Sequence, residues 1–132
     1  MANILLVDDT PTNLELLESL CRYAGHTTRH AATVEAGLTL ARAHRPDLII
    51  SDIHMAPLDG YDLLRTAKAD PQLASIPVIL VSMSGGHGVD QRKALNLGAA
   101  KFIPMPAEPQ ILLEEIQACL GISEASDSPG HA

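Results

Sequence analysis

Three aspartates follow short apolar runs in a pattern suited to metal binding or phosphoryl transfer. Asp8 and Asp9 follow the run Ile4 to Val7, and Asp52 follows the run Leu48 to Ser51. In an open parallel sheet, ligands bind just beyond the carboxyl ends of the strands. We therefore expect the three carboxylates to converge on one edge of a sheet.

Such a cluster of carboxylates needs a proton or a cation. Two like charges about 4 Å apart repel by roughly 4 kcal/mol at an effective dielectric constant near 20. Mg²⁺ prefers oxygen ligands, and phosphoryl transfer needs a metal, a nucleophile in line and hydrogen-bond donors. Taken alone, Asp8 and Asp9 also fit a solvated pair favoured by a helix dipole. Asp52, at the end of a buried strand, favours the shared site and is the nucleophile we expect.

The elements that position these residues alternate between strands and helices along the chain. An alternation of this kind predicts parallel βαβ units and an α/β fold. Three strands are almost entirely apolar, as expected when helices cover both faces of a sheet, and the second and fifth strands are more polar edge strands. The strands are predicted at Ile4–Val7, Thr27–His30, Leu48–Ser51, Val78–Ser82 and Lys101–Ile103.

Proline and glycine mark the ends of five predicted helices. Thr10 and Pro11 supply an N-cap and a first helical residue, and glycine or proline stop signals follow each apolar stripe. The glycine-rich run 85–88 predicts a mobile loop before the fourth helix. The five helices are expected at about Pro11–Gly25, Thr33–Arg45, Gly60–Ala69, Val89–Leu97 and Pro109–Leu120.

The end of the chain differs in composition from the rest. After Gly121 the sequence GISEASDSPGHA is rich in small, polar and acidic residues and has little to bury. We expect one domain over residues 1–121 and a disordered tail or linker start over 122–132.

Composition excludes several classes of function. A net charge of −7, with one Phe and two Tyr, argues against nucleic-acid binding. No apolar run approaches the roughly 18 residues of a membrane span, and MANILLVDD lacks the basic start of a secretory signal, so we expect a cytoplasmic protein. Cys21 and Cys119 have no metal-binding spacing and are expected to be buried thiols. Protein partners are therefore the expectation.

Five segments, in order and at the expected intervals, carry a family resemblance. The segments ILLVDD, PDLIISDIHM, LDGYDLL, PVILVSMSG and LGAAKFIPMP resemble those of the receiver domain of response regulators in two-component signalling. The resemblance covers about Asn3 to Leu120. It implies a flavodoxin-like (βα)5 fold, with a doubly wound parallel five-stranded sheet of order 2-1-3-4-5.

The resemblance also implies what the aspartates do. Asp52 would accept a phosphoryl group from a histidine kinase or phosphotransfer protein, and Asp8, Asp9, Asp52 and the His54 backbone carbonyl would hold Mg²⁺. The His54 imidazole is a second possible ligand, although one histidine among carboxylates is weak evidence. Such a domain is not an enzyme in the usual sense, since it catalyses only its own phosphorylation and dephosphorylation.

Two further residues would form a switch by the same resemblance. The Ser82 hydroxyl would hydrogen-bond a phosphoryl oxygen, and Phe102 would swing inward behind it, changing a face that binds a downstream protein. Each has a simpler alternative. Ser82 also fits an ordinary hydroxyl at a strand end, and Phe102 also fits a half-buried residue of an edge strand.

Met105 departs from the family pattern. The family has a lysine there, followed by a proline after a cis peptide bond, and we expect the Met105–Pro106 bond to be cis. A thioether cannot pair with a carboxylate or a phosphoryl group. Lys101 lies four residues, about 13 Å of extended chain, before Met105 and is not expected to substitute. A smaller departure is Pro57, which stands one place later than the family's proline.

Three functions therefore remain open from the sequence. The first is a phosphorylation switch, favoured by the presence of all four polar site residues, Asp8, Asp9, Asp52 and Ser82. The second is a phosphorylation-independent docking module, favoured by Met105. The third, a phosphatase of the haloacid dehalogenase type, is disfavoured because Asp8, Asp9 and Thr10 are contiguous rather than spaced as Asp-x-Asp-x-Thr.

Overall fold

The computed structural model describes residues 2–83 and 88–127 of the 132-residue chain. Five strands alternate with five helices within these residues, as the sequence predicts. The elements are β1 (Asn3–Val7), α1 (Pro11–Tyr23), β2 (Thr27–Ala31), α2 (Val34–Ala43), β3 (Leu48–Asp52), α3 (Gly60–Ala69), β4 (Val78–Ser82), α4 (Gly88–Asn96), β5 (Lys101–Pro104) and α5 (Pro109–Asp127).

The strands form one parallel sheet in the order β2-β1-β3-β4-β5. This confirms the predicted α/β fold, the strand order and the two edge strands. In the register of β1 and β3, Val7 lies opposite Ser51, and in that of β3 and β4, Asp52 lies opposite Val81. The carboxyl ends of the three central strands therefore meet at the same edge of the sheet.

Alternate residues of each strand face two hydrophobic cores, one on each side of the sheet. Leu5 and Val7 contribute to the core under α2, α3 and α4, whereas Ile4 and Leu6 contribute to the core under α1 and α5. All five residues of β3 and of β4 are buried. Burial on both faces explains why the central strands are continuous apolar runs.

The helix starts follow the predicted positions, with one correction. Thr10 occupies the N-cap of α1, but its side chain makes no capping hydrogen bond. Instead, its hydroxyl lies 3.4 Å from Asp9 Oδ1, and its backbone N–H donates to Asp8. Thr33 does cap α2, since its hydroxyl accepts a hydrogen bond from the backbone N–H of Ala36. The start of α1 is therefore tied to the acidic cluster.

The predicted end of α5 at Gly121 is wrong, because the helix continues to Asp127. Gly121 does not adopt a positive φ. In this it differs from Gly25, which lies just after α1, and from Gly98, which lies just after α4. A glycine within a helix is tolerated at about 1 kcal/mol relative to alanine, and no proline follows until residue 129. Residues 128–132 of the predicted tail, and 85–87 of the predicted mobile loop, lie outside the described residues. The division into domain and tail stays a prediction.

The described residues contain no helix long and apolar enough to cross a bilayer.

Candidate functional site

The three aspartates converge as the sequence predicts. Asp8 and Asp9 follow β1, and Asp52 is the last residue of β3, the neighbouring strand. One oxygen from each carboxylate lies within 4.8 Å of the other two. Among the described residues, this is the one group of three or more Asp, Glu, His or Cys side chains close enough to share a metal ion.

Asp8 is completely buried at the bottom of this cluster. Its Oδ1 atom accepts hydrogen bonds from the Thr10 backbone N–H at 2.8 Å and from Asn13 Nδ2 at 3.5 Å. Its Oδ2 atom is buried without a partner. Burial raises the pKa of Asp8, an effect that these hydrogen bonds oppose and the neighbouring charge of Asp9 reinforces.

Asp52 is similarly enclosed, with 4% of its surface exposed and its Oδ1 atom lacking a hydrogen-bond partner. Burial, reinforced by the charge of Asp8, raises the pKa of Asp52 to about 6. Hydrogen bonds from the backbone of His54 and Ile53 act in the opposite direction. Asp52 is therefore ionised at neutral pH, although its surroundings destabilise the charged form.

A divalent cation fits this donor set. Two buried carboxylate oxygens, Asp8 Oδ2 and Asp52 Oδ1, lack partners, and an unpaired buried oxygen is unfavourable unless a proton or cation satisfies it. Asp9 is exposed and offers a third oxygen from the solvent side. All three ligands are hard oxygens, which suits Mg²⁺. The side chain of His54 is exposed and is not among the clustered groups, which argues against its imidazole as a ligand.

The start of α3 packs directly against the backbone of Asp52, a feature that the sequence analysis missed. The Gly60 backbone N–H donates to Ile53 O at 2.9 Å, and a Cβ atom at Gly60 would lie 2.4 Å from Asp52 O. Asp59 and Asp62 form a capping box around this turn. The Asp-Gly pair before an apolar stripe was a usable signal for this close approach, whereas nothing marked Asn13 as a donor to Asp8.

Ser82 and Phe102, the predicted switch residues, lie on neighbouring strands. Ser82 ends β4, is completely buried, and accepts a hydrogen bond through its backbone carbonyl from Met105 N at 2.8 Å. Phe102 lies in β5 opposite Leu80 and is half-buried against the core under α2, α3 and α4. These positions are compatible with the switch and with the simpler alternatives.

Within the described part of the chain, no ion pair joins a lysine or arginine to the acidic cluster. Met105 is 7% exposed and packs in the core under α1 and α5. Lys101 Nζ lies 3.5 Å from Glu115 Oε2 on α5, and no lysine or arginine is among the main influences on the pKa of Asp52. The expected cis bond between Met105 and Pro106 is confirmed, and the displaced Pro57 also follows a cis bond.

Comparisons with known proteins agree with this geometry. The model of the response regulator receiver domain family matches residues 4–117. Protein PilH of Pseudomonas aeruginosa is 33% identical over 120 residues, which cover 91% of this chain and 98% of PilH. The response regulator PleD of Caulobacter vibrioides is 32% identical over 117 residues, but these cover only 26% of PleD.

Solved structures show the same similarity. The signal receiver domain of a histidine kinase from Syntrophus aciditrophicus is 35% identical, with a TM-score of 0.83 over 92% of this chain and 91% of that one. A CheY-like receiver domain protein from Methanospirillum hungatei is 27% identical, with a TM-score of 0.86 over 96% of this chain and 98% of that one.

Proposed function

The chain belongs to the response regulator receiver family of two-component signalling, and we propose that it accepts a phosphoryl group on Asp52. The donor would be a phosphohistidine of a histidine kinase or phosphotransfer protein, and the reaction would depend on Mg²⁺. Phosphorylation would then change a surface that binds a downstream protein.

The convergence of Asp8, Asp9 and Asp52 is the observation that carries this proposal. Their oxygens lie within 4.8 Å of one another, and two of the buried oxygens lack partners. A buried strand end that carries uncompensated carboxylates is unfavourable for stability, so the arrangement favours a functional role over a structural one.

Each residue would have a defined part in the transfer. The Asp52 carboxylate would attack phosphorus, the P–N bond to the donor imidazole would break, and the imidazole would leave with the bonding electron pair. Mg²⁺, when bound, would offset the charge that accumulates on the transferred oxygens. Asp8, Asp9 and the His54 backbone carbonyl would hold that cation. The Ser82 hydroxyl would donate to a phosphoryl oxygen, and Phe102 would follow its movement.

A second candidate, phosphorylation-independent docking, is favoured by Met105. Asp8, Asp9 and an aspartyl phosphate contribute about −4 in charge, and Mg²⁺ contributes +2. The remaining charge is about −2, and a lysine would reduce it to about −1. The buried thioether of Met105 is neutral and leaves it unchanged. The phosphorylated form is therefore less stabilised electrostatically than one with the lysine, and a docking module needs no such form.

Acetyl phosphate with Mg²⁺ provides a direct test of the two candidates. The protein, Asp52→Asn and Met105→Lys are incubated with this donor, and intact mass is followed over time. We expect a single phosphoryl adduct in the wild type, none in Asp52→Asn, and a higher yield or longer lifetime in Met105→Lys.

The docking candidate makes the opposite prediction for the wild type. Absence of an adduct in the wild type, with its appearance in Met105→Lys, would contradict the proposed switch. It would show that the fold retains the site but that this residue has removed its chemistry.

A further inference from the structure

A small polar cluster, separate from the three clustered aspartates, joins α3 to α4. Tyr61 on α3 is 5% exposed, and its hydroxyl donates to Asp90 Oδ1 on α4 at 3.3 Å. Lys93 Nζ lies 4.2 Å from the centre of the Tyr61 ring, within the range of a cation–π contact. Burial and the charge of Asp90 both raise the pKa of Tyr61, so its hydroxyl remains protonated and donates.

Asp90 and Lys93 are three residues apart and therefore lie on the same face of α4. Between them they engage both polar features of one ring, since Asp90 accepts from the hydroxyl and Lys93 lies over the π face. We refer to Tyr61, Asp90 and Lys93 as the Tyr61 latch.

The latch adds a polar tie to a helix whose described side chains bury little apolar surface. In the part of α4 whose side chains are described, Ala94 is the one buried residue, and it contributes only a methyl group. Leu95, the large apolar side chain of that part, is 46% exposed. A helix with so little buried apolar surface opens or shifts more readily than its neighbours.

The other end of the latch lies next to the phosphoacceptor. Tyr61 follows Gly60, whose N–H donates to Ile53 O and whose Cα is so close to Asp52 O that no Cβ fits between them. Because of this close approach, a shift of the Asp52 backbone would press on the first turn of α3, which carries the Tyr61 ring.

We propose that the Tyr61 latch holds α4 against α3 while Asp52 is unmodified, and that modification of Asp52 weakens this contact through the first turn of α3. The second half of this inference rests on the proposed function of Asp52. Loss of the latch would then favour the modified form, because the coupling between two sites acts equally in both directions.

Tyr61→Phe tests the latch, and Tyr23→Phe is its matched control. Tyr61→Phe removes a hydroxyl that donates to a carboxylate. Tyr23→Phe removes the same group from a side chain that is 84% exposed on α1. Amide hydrogen exchange is measured in both variants and in the wild type without phosphodonor. We expect exchange in α4 to be about two- to tenfold faster in Tyr61→Phe, the range for loss of one hydrogen bond, and unchanged in Tyr23→Phe.

The coupling is measured with beryllofluoride, a phosphoryl analogue, in the presence of Mg²⁺. We expect its Kd to be about two- to tenfold lower in Tyr61→Phe than in the wild type and in the control, by the same reciprocity. Asp90→Ala should give the same change, and the double variant Tyr61→Phe/Asp90→Ala should show little further effect, as expected for two partners of one interaction.

Unchanged α4 exchange in Tyr61→Phe would overturn the latch. Faster exchange with an unchanged Kd would overturn its coupling to Asp52. If no variant binds beryllofluoride, the proposed function of Asp52 fails and the coupling fails with it, whereas the exchange data still decide whether Tyr61 holds α4.

Discussion

Replacing Asp52 with asparagine should make the unphosphorylated protein more stable at neutral pH. Asp52 is 4% exposed, one of its oxygens lacks a partner, and Asp8 is its charged neighbour. No lysine or arginine among the described residues forms an ion pair with Asp52. Asparagine keeps the size of the side chain and removes the charge.

The pKa of Asp52 sets the magnitude and the pH range of this effect. The pKa rises from 3.8 to about 6 on folding, and each pKa unit corresponds to about 1.36 kcal/mol. Because the folded-state pKa is the higher one, the folded protein binds the proton more tightly than the unfolded chain. The associated stability is present below about pH 4 and is lost as the pH rises through about 6. Above that pH, ionised Asp52 lowers the free energy of unfolding by roughly 3 kcal/mol.

Urea denaturation between pH 4 and pH 8, with EDTA present, measures this difference. We expect the free energy of unfolding of Asp52→Asn to exceed that of the wild type by roughly 2–3 kcal/mol at pH 7.5 and by much less near pH 4. Glu114→Gln, which changes an exposed carboxylate on α5, provides the control and should show no comparable difference.

A gain in stability of Asp52→Asn that is independent of pH would refute the electrostatic explanation. Such a gain would have to come from packing or hydrogen bonding of the new amide. A loss of stability at pH 7.5 would also refute it, since it would show that the favourable contacts of the Asp52 carboxylate, such as those from the His54 and Ile53 backbone, outweigh the cost of burying its charge.

Three further predictions concern the metal and the first turn of α3. Mg²⁺ should raise the free energy of unfolding by about 2.7 kcal/mol at 100 times its Kd, as measured by urea titration, and Asp8→Asn should remove most of this gain. Gly60→Ala should destabilise by about 1–3 kcal/mol, because its Cβ would lie 2.4 Å from Asp52 O; Gly121→Ala, with open space around it, should be neutral or stabilising in the same thermal scan. Asp59→Ala should lower the free energy of unfolding by about 0.5–2 kcal/mol through loss of the capping box, as measured by urea titration.

Much of the fold could be predicted because its signals are local. Apolar runs at β3 and β4 indicate strands covered on both faces, and Gly25 and Gly98 end helices by adopting positive φ. The end of α5 was missed because Gly121 carries the same sequence signal without adopting that conformation. A glycine allows a helix to end but does not require it, so sequence alone does not separate the two cases.

The acidic cluster was also predictable, since strand ends in a parallel sheet share one edge. Its energetics were not, because they depend on atoms that become neighbours only after folding. Asn13 donates to Asp8 from the first turns of α1, and Gly60 supports the backbone of Asp52. The pairing of Tyr61 with Asp90 spans 29 residues and had no sequence signal.

Met105 stands where the family resemblance implies a lysine, and we propose that this makes the acidic site more dependent on its ligands. By the same resemblance, a lysine at this position would bring a positive charge to Asp52, whereas Lys101 lies beside Glu115 on α5. Asp8 and Asp52 are buried with raised pKa values and oxygens without partners. A proton or a bound cation is then the means of relieving their repulsion. The metal and the charge of Asp52 should therefore be coupled more strongly here than in a receiver with the lysine, and Met105→Lys should weaken that coupling by supplying the missing charge.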